Sequence, residues 1–259
     1  MKGSLVKKSF LILYLSSFFM LPAMERAIYD KDTIEFAMPY LRWANLVVLD
    51  IDNTIMYSSD VPEANCQWCD VAEKRLQEKG FSKAEAFQKM VWGYDYFGQK
   101  ATMVPSEPKF VEFINDAQKI GIPVIAITGR PDMMREVTVK KLTSIGVYFS
   151  HGCFKGSDFK QANGTHFIEG IIYNGYAGSP QKGESLKLFL NTVGLSPKNI
   201  LMIDDRQHCL ESVKTHLPDV NFIGIRYGLC DEAFKSFKPT QEMLDFIDEE
   251  LTRKTLTFK

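Results

Sequence analysis

The sequence is short of the features that mark several large classes of protein. It holds no Lys/Arg run long enough to follow a polyanion, and 31 basic against 32 acidic residues leave a formal net charge of −1. Nucleic acid is therefore not expected as a partner. Cysteine is sparse and odd in number: Cys66, Cys69, Cys153, Cys209 and Cys230 leave at least one thiol unpaired within the chain. Cys66-Gln-Trp-Cys69 has the spacing of a redox pair or a zinc half-site, but no second Cys pair or His pair follows at ligand spacing. A local disulfide or two plain thiols is expected there rather than a metal. Internal repeats and low-complexity segments are absent, and 259 residues at 45% hydrophobic content suffice for one domain with a modest insert. Two large domains do not fit.

At the N-terminus Lys2, Lys7 and Lys8 precede an uncharged stretch, Ser9 to Met24, that ends at Glu25. That layout is a secretory signal peptide over residues 1–24, with a small-residue exit at Pro22-Ala23. The rival reading is an uncleaved membrane anchor, although the stretch falls below the ~20 residues of a spanning helix. Export, to a periplasm or to the outside, is expected, and no stable membrane insertion after cleavage.

Beyond the signal, Thr33 to Trp43 places Ile34, Ala37, Met38 and Leu41 at helical spacing. Leu46-Val47-Val48-Leu49 is then a continuous apolar run, as are Ile122 to Ile127, Ile200 to Ile203 and Phe222 to Ile225. Short runs rich in β-branched residues suit strands buried on both faces, and the helical patterns between them predict a doubly wound, parallel α/β sheet. One helix is expected to be capped by Ser106, to begin at Pro108 and to face inward with Phe110, Phe113, Ile114 and Ala117. Another is expected over Asp132 to Ser144, followed by a short strand at Val147-Tyr148-Phe149. A hairpin around Glu169-Gly170 completes this part.

Between Ile55 and Pro105 two helical stretches are expected and no strand, the second helix opened by a Ser82/Glu85 capping box. This reads as a small helical cap, residues 55–105, inserted into a core of residues 25–54 and 106–259. Its aromatics, Trp68, Trp92, Tyr94, Tyr96 and Phe97, suit a cap core more readily than a substrate platform.

Ligands in open α/β sheets sit beyond the carboxyl ends of the strands. Three of the apolar runs end there in polar residues: Asp50-Ile51-Asp52-Asn53-Thr54, Thr128-Gly129-Arg130 and Asp204-Asp205-Arg206. Carboxylates that close raise one another's pKa unless a cation intervenes, and an oxygen-rich cluster of this kind suits Mg²⁺. With Lys182, which opens a later helical pattern, these stretches resemble the four motifs of the haloacid dehalogenase (HAD) superfamily from about Leu46 to Tyr227. The insert after the first strand is similar to that superfamily's C1 cap arrangement, and the exported N-terminus resembles HAD-like proteins of intracellular bacteria.

That resemblance implies a HAD-like Rossmannoid fold and a Mg²⁺-dependent phosphomonoester hydrolase. Asp50 is then the nucleophile, forming an aspartyl phosphate, and Asp52 the general acid/base. Thr128, Gly129 and Lys182 are implied to hold the phosphoryl group, and Asp50, Asp52, Asp204 and Asp205 the metal. The substrate is implied to be a phosphorylated small molecule or a phosphoprotein. A phosphotransferase with the same chemistry, or a binding protein that keeps the fold without turnover, stays open. Arg130 and Arg206 are equally suited to substrate and to a surface carboxylate, and His208 reads as structural.

Overall fold

The computed structural model describes residues 25–149, 154, 157–161, 164–175 and 181–254. The signal segment and Cys153 lie outside the described residues. In chain order the strands are β1 Arg26–Lys31, β2 Leu46–Leu49, β3 Met56–Ser58, β4 Met103–Pro105, β5 Val124–Thr128, β6 Phe159–Lys160, β7 His166–Ile168, β8 Ile171–Tyr173, β9 Asn199–Asp204 and β10 Asn221–Tyr227. The α-helices are α1 Cys66–Glu78, α2 Lys83–Lys100, α3 Pro108–Lys119, α4 Arg135–Ser144, α5 Lys182–Val193, α6 Gln207–His216, α7 Asp231–Ser236 and α8 Gln241–Phe246, the last running into a π-helical turn, Ile247–Leu251.

The main sheet has the order β1-β10-β9-β2-β5-β8-β7-β6. Pairing is parallel from β1 to β8 along that order, and β7 and β6 close one edge antiparallel. The chain leaves β2 toward β5 on one side and later returns to β9 on the other, so β2 borders the point where the winding reverses. Helices cover both faces, which is why the central strands are apolar throughout. Successive residues of β2 alternate between two cores: Val47 and Leu49 join Phe110, Phe113 and Ile114 of α3, whereas Leu46 and Val48 join Leu186 and Phe189 of α5 and Leu210 of α6.

Several local expectations give way to tertiary context. The segment after Thr33 is a 3₁₀ helix, Ile34–Tyr40, with Pro39 inside it and Met38 exposed, since proline cannot donate the bond a longer α-helix needs. Glu107 rather than Ser106 precedes α3: the Ser106 amide donates to the Ile55 carbonyl, which ties that residue to the end of the insert. The helix expected from Asp132 opens as a 3₁₀ turn, Asp132–Met134, before α4. Val147-Tyr148-Phe149 joins no ladder among the described residues. Conversely β3 and β4 pair antiparallel within the span where no strand is expected, forming the two-stranded base on which the insert stands. β1 also escaped the apolar-run criterion because Arg-Ala-Ile-Tyr-Asp-Lys lies on an edge and is only half-buried.

The insert helices do not stand alone. Trp68, Ala72 and Leu76 of α1 pack with Met90 and Val91 of α2 and, from the other end of the chain, with Met243, Ile247 and Leu251. Phe246 stacks on Trp92 and Tyr96 and meets Trp68 and Phe97 at 6.3 and 4.7 Å between ring centroids. Lys89 caps this terminal helix by donating to the Leu251 carbonyl at 2.7 Å, and Arg75 grips Asp248 with two bonds of 2.6 Å. Thus Gln241–Leu251, which the sequence pattern assigned to the core, packs on α1 and α2. No helix among the described residues is long and apolar enough to cross a membrane.

Candidate active site

Register brings the candidate residues to one height. Leu49 pairs with Ile203 on one side and with Ala126 on the other, and the Asp50 amide donates to the Ile203 carbonyl at 2.9 Å. Asp50 therefore leaves β2 beside Asp204 at the end of β9. Alternation then sorts the side chains by face. Asp50 follows Leu46 and Val48, and Asp204 follows Ile200 and Met202, so both turn to the face covered by α5 and α6. Thr128 has the opposite parity from Ile125 and Ile127.

The first residue of α5 meets the two carboxylates. Lys182 donates to Asp50 Oδ1 at 2.5 Å and to Asp204 Oδ2 at 2.8 Å. Its neighbour Gly183 allows this approach: a Cβ there would lie 2.2 Å from the Ser212 carbonyl oxygen of α6, while the Gly183 amide donates to Ser212 Oγ at 3.1 Å. Burial disfavours the Lys182 charge, but Asp204 and Asp50 outweigh it and push its pKa well above the usual value. Asp50 rises to about 6, chiefly through burial, with Lys182 opposing and Asp204 and Asp52 assisting. Asp205 rises to about 8, again through burial first and then through Asp50 and Asp204.

Asp50, Asp204 and Asp205 each offer a carboxylate oxygen within 4.8 Å of the others. One lysine shared between two of three crowded carboxylates leaves the cluster short of positive charge, and an all-oxygen donor set of this kind fits a hard divalent cation. The Asp204-Asp205 loop is tied to the Asp50 loop: Asn53 takes a left-handed backbone, φ 61°, and the buried Thr54 accepts the Asp205 amide through its Oγ1 at 3.0 Å. Asparagine tolerates that conformation better than most side chains.

Asp52 has a different partner. Arg130 donates through Nε to its Oδ2 at 2.9 Å and through a terminal nitrogen to its Oδ1 at 2.6 Å. The Tyr94 hydroxyl of α2 donates to the same Oδ1 at 2.8 Å, and Arg130 also reaches Thr138 Oγ1 at 3.1 Å. Burial opposes ionisation of Asp52, yet the Arg130 guanidinium and these hydrogen bonds hold its carboxyl below the ordinary value. Arg130 is thus a buried partner of the site rather than a surface ion-pair residue. Tyr94 stands apart from the other insert aromatics, which pack on Phe246. The signal for Arg130 was its place two residues past a strand end; Tyr94 had none, because its role depends on how α2 sits over the sheet.

Asp50, Asp52, Gly129, Lys182 and Asp205 line one cavity of about 290 Å³. Asp204 and Thr128, both fully buried, do not line it. Thr128 instead accepts the Arg130 amide through Oγ1 at 3.2 Å. Arg206, His208 and Cys209 line the cavity from the α6 side, and Cys66 and Cys69 from α1. Both α1 cysteines are free thiols whose pKa burial pushes well up, which makes them poor nucleophiles.

Residues 32–256 match the model of a family described as "Protein of unknown function (DUF2608)". Among solved structures, the chain is similar to a hydrolase from Pseudomonas syringae at 13% identity, with 81% of this chain and 99% of that one covered and a TM-score of 0.44. It is similar to a haloacid dehalogenase-like family hydrolase from Streptococcus pneumoniae at 14% identity, with 74% and 98% covered and a TM-score of 0.43. A third is the class C acid phosphatase from Bacillus anthracis with tungstate bound, at 16% identity, 83% and 80% coverage and a TM-score of 0.35. None of the curated proteins matches the sequence significantly.

Proposed function

The chain belongs to the DUF2608 family, and we propose that it is a HAD-type phosphomonoester hydrolase in which Asp50 is the nucleophile. The observation that carries this reading is Lys182 lying 2.5 Å from Asp50 and 2.8 Å from Asp204 at the shared carboxyl ends of β2 and β9. Three separated stretches converge there on chemistry that no single stretch performs. Asp50 lies at the cavity floor, where its carboxylate attacks phosphorus to form an aspartyl phosphate and so divides hydrolysis into two displacements. Lys182, at the N-terminus of α5, offsets negative charge on Asp50 and on the transferring phosphoryl group, with the helix dipole adding to it. Gly129, which lines the cavity, supplies a backbone donor at the neighbouring strand end, and Thr128, buried beside it, holds that loop by accepting the Arg130 amide.

Asp50, Asp204 and Asp205, with the backbone carbonyl of Asp52, are the donors that would hold Mg²⁺. Bound there, the ion supplies positive charge that reduces repulsion between the nucleophile and a phosphoryl anion. Asp52 acts on protons. As the carboxylate that Arg130 and Tyr94 stabilise, it accepts a proton from the water that cleaves the aspartyl phosphate. In the first step the leaving oxygen needs a proton, so Asp52 must first take one up, from the substrate's phosphoryl oxygen or from solvent, against the pull of Arg130, and then pass it on. Such acid/base assistance is worth ~10² to 10⁴ in rate. Export through the N-terminal segment belongs to the same proposal.

Asp50→Asn tests the reading. The variant keeps shape and removes the attacking charge, so hydrolysis of an aryl phosphate should fall by at least about 10³-fold with the far-ultraviolet spectrum unchanged. Chelation should stop the wild-type reaction and added Mg²⁺ restore it. Wild-type activity in the variant would refute the nucleophile assignment.

A further inference from the structure

A phosphoryl group at Asp50 meets donors from two separate elements, the Gly129 amide after β5 and Lys182 at the start of α5. Their relative placement decides whether both reach the same group. The direction of the Gly129 amide follows from the order along β5. The Ala126 amide donates to the Gly170 carbonyl on the β8 side at 3.0 Å, whereas the Pro123 carbonyl accepts the Val47 amide on the β2 side at 2.9 Å. Even-numbered residues therefore turn their backbone groups toward β8 and odd-numbered ones toward β2. The Thr128 carbonyl keeps this order by accepting the Asn174 amide at 3.0 Å, just past the end of β8. A planar trans peptide aims the next N–H the opposite way, so the Gly129 amide points toward the β2 side. β2 itself ends at Leu49, opposite Ala126. Beyond that end lie Asp50 and the cavity that Gly129 lines.

The turn after β8 holds this loop at two points. Besides the Asn174 bond, the Gly175 amide donates to the Arg130 carbonyl at 3.2 Å. A Cβ on Gly175 would collide with the Gly129 carbonyl oxygen, so the approach needs glycine. Asn174 and Gly175 thus bracket the peptide that carries the donor.

The bracket is in turn fastened to α5. Ser185 Oγ donates to Asn174 Oδ1 at 3.0 Å, and Thr165 Oγ1 lies 3.0 Å from Ser185 Oγ. Ser185 and Thr165 are fully buried, an environment in which linked hydrogen bonds strengthen one another. Ser185 stands three residues after Lys182, on the next turn of the same helix. The Gly129 loop, Asn174, Ser185 and α5 therefore form a continuous link between the two donors. It runs behind the cavity: Asn174, Gly175, Ser185 and Thr165 do not line it.

Resting on the hydrolase reading above, we infer that Asn174 and Ser185 are positioning residues that keep the Gly129 amide and the Lys182 ammonium aimed at one phosphoryl group. Neither touches substrate. Their link makes the loop after β5 and the first turns of α5 one frame, so the donors need not reorganise as charge shifts onto the phosphoryl oxygens. The benefit falls on the transition state rather than on binding of the substrate.

The experiment follows phenyl phosphate hydrolysis with Mg²⁺ by the full-length protein, as wild type, Asn174→Ala, Ser185→Ala and the double variant. Each single change should lower kcat by about tenfold to 10²-fold, the cost of a small misplacement, with KM held within about twofold. Both changes cut the same link, so the double variant should fall within about twofold of the weaker single one. Inhibition by orthovanadate, which adopts the five-coordinate shape of the group in transfer, should weaken by the same factor as kcat, while inhibition by inorganic phosphate stays within about twofold. Asn174 is only partly buried, so Asn174→Ala with the two inhibitors decides the matter even if Ser185→Ala folds poorly. Wild-type kcat in both single variants, losses that multiply in the double variant, or equal weakening of vanadate and phosphate overturns the positioning role and leaves the hydrolase reading in place. A wild-type protein without Mg²⁺-dependent hydrolysis of phenyl phosphate overturns both.

Discussion

Asp50 and Asp52 stand two residues apart in one loop, yet the fold treats them in opposite ways. Asp50 shares one lysine with Asp204, and burial among acidic neighbours lifts it to about 6. Asp52 has a planar guanidinium to itself and is held below the ordinary range. A point charge on a flexible stem can serve two acceptors, whereas a fork with parallel donors commits to one carboxylate. The difference teaches that neighbouring sequence positions acquire distinct chemistry from the cation that a separate element brings to each, Lys182 from α5 and Arg130 from the end of β5.

Removing each cation should break the comparison in measurable order. Lys182→Ala leaves Asp50 and Asp204 buried without their common partner, and loss of one member of a buried pair costs about 3–5 kcal/mol. Urea denaturation at pH 7 should show that loss, and millimolar Mg²⁺ should recover part of it by occupying the same charge deficit. A change below ~1 kcal/mol would mean that Lys182 does not neutralise the cluster.

Arg130→Ala should cost less, about 3 kcal/mol, because Tyr94 still donates to Asp52. Its stability should not respond to Mg²⁺ in the way Lys182→Ala does, which separates the two aspartates by measurement. Tyr94→Phe removes one hydrogen bond to a charged acceptor and should cost about 1.5 kcal/mol, with Arg130 retained.

The Arg75–Asp248 pair sharpens the comparison as a solvent-facing control. It repeats the forked geometry at 2.6 Å, with Lys79 at 3.1 Å, but both side chains are a quarter to a third exposed. Hydrogen bonds from Arg75, followed by burial opposing them and by Lys79, leave Asp248 at about 2. A depressed folded value means the stabilisation is complete above the ordinary carboxylate range, near pH 4, and is lost as pH falls through about 2. Screening limits it to ~0.5–1 kcal/mol. The stability difference between wild type and Asp248→Asn should therefore be present at pH 6 and vanish near pH 2. A difference that persists in acid would assign the effect to packing instead.

Much of the architecture was legible because it rests on composition over short distances. The apolar runs of β2, β5, β9 and β10 declare strands buried on both faces, and polar residues directly after them mark the functional edge. The capping box at Ser82 reads equally well, and the structure has it, with the Ser82 amide donating to Glu85 Oε2 at 2.9 Å. Other strands were opaque: β1 is only partly buried along its length, and β3 and β4, at three residues each, are too short to show a period. The terminal segment was opaque too, because Phe246 and Ile247 show an apolar helix face without showing which surface receives it.

The amino-acid sequence by itself determined that a parallel sheet forms, that Asp50, Asp52, Thr128, Asp204 and Asp205 gather at its carboxyl edge, and that Lys182 opens a helix nearby. Only the tertiary structure decided which cation meets which carboxylate, that Thr128 turns to the opposite face, that Tyr94 reaches Asp52 and that the C-terminal helix packs on α1 and α2. Strand and helix periods are local and follow from residue order. Pairing between faces depends on register, on helix placement across the sheet and on contacts between residues more than a hundred positions apart, which no local pattern encodes.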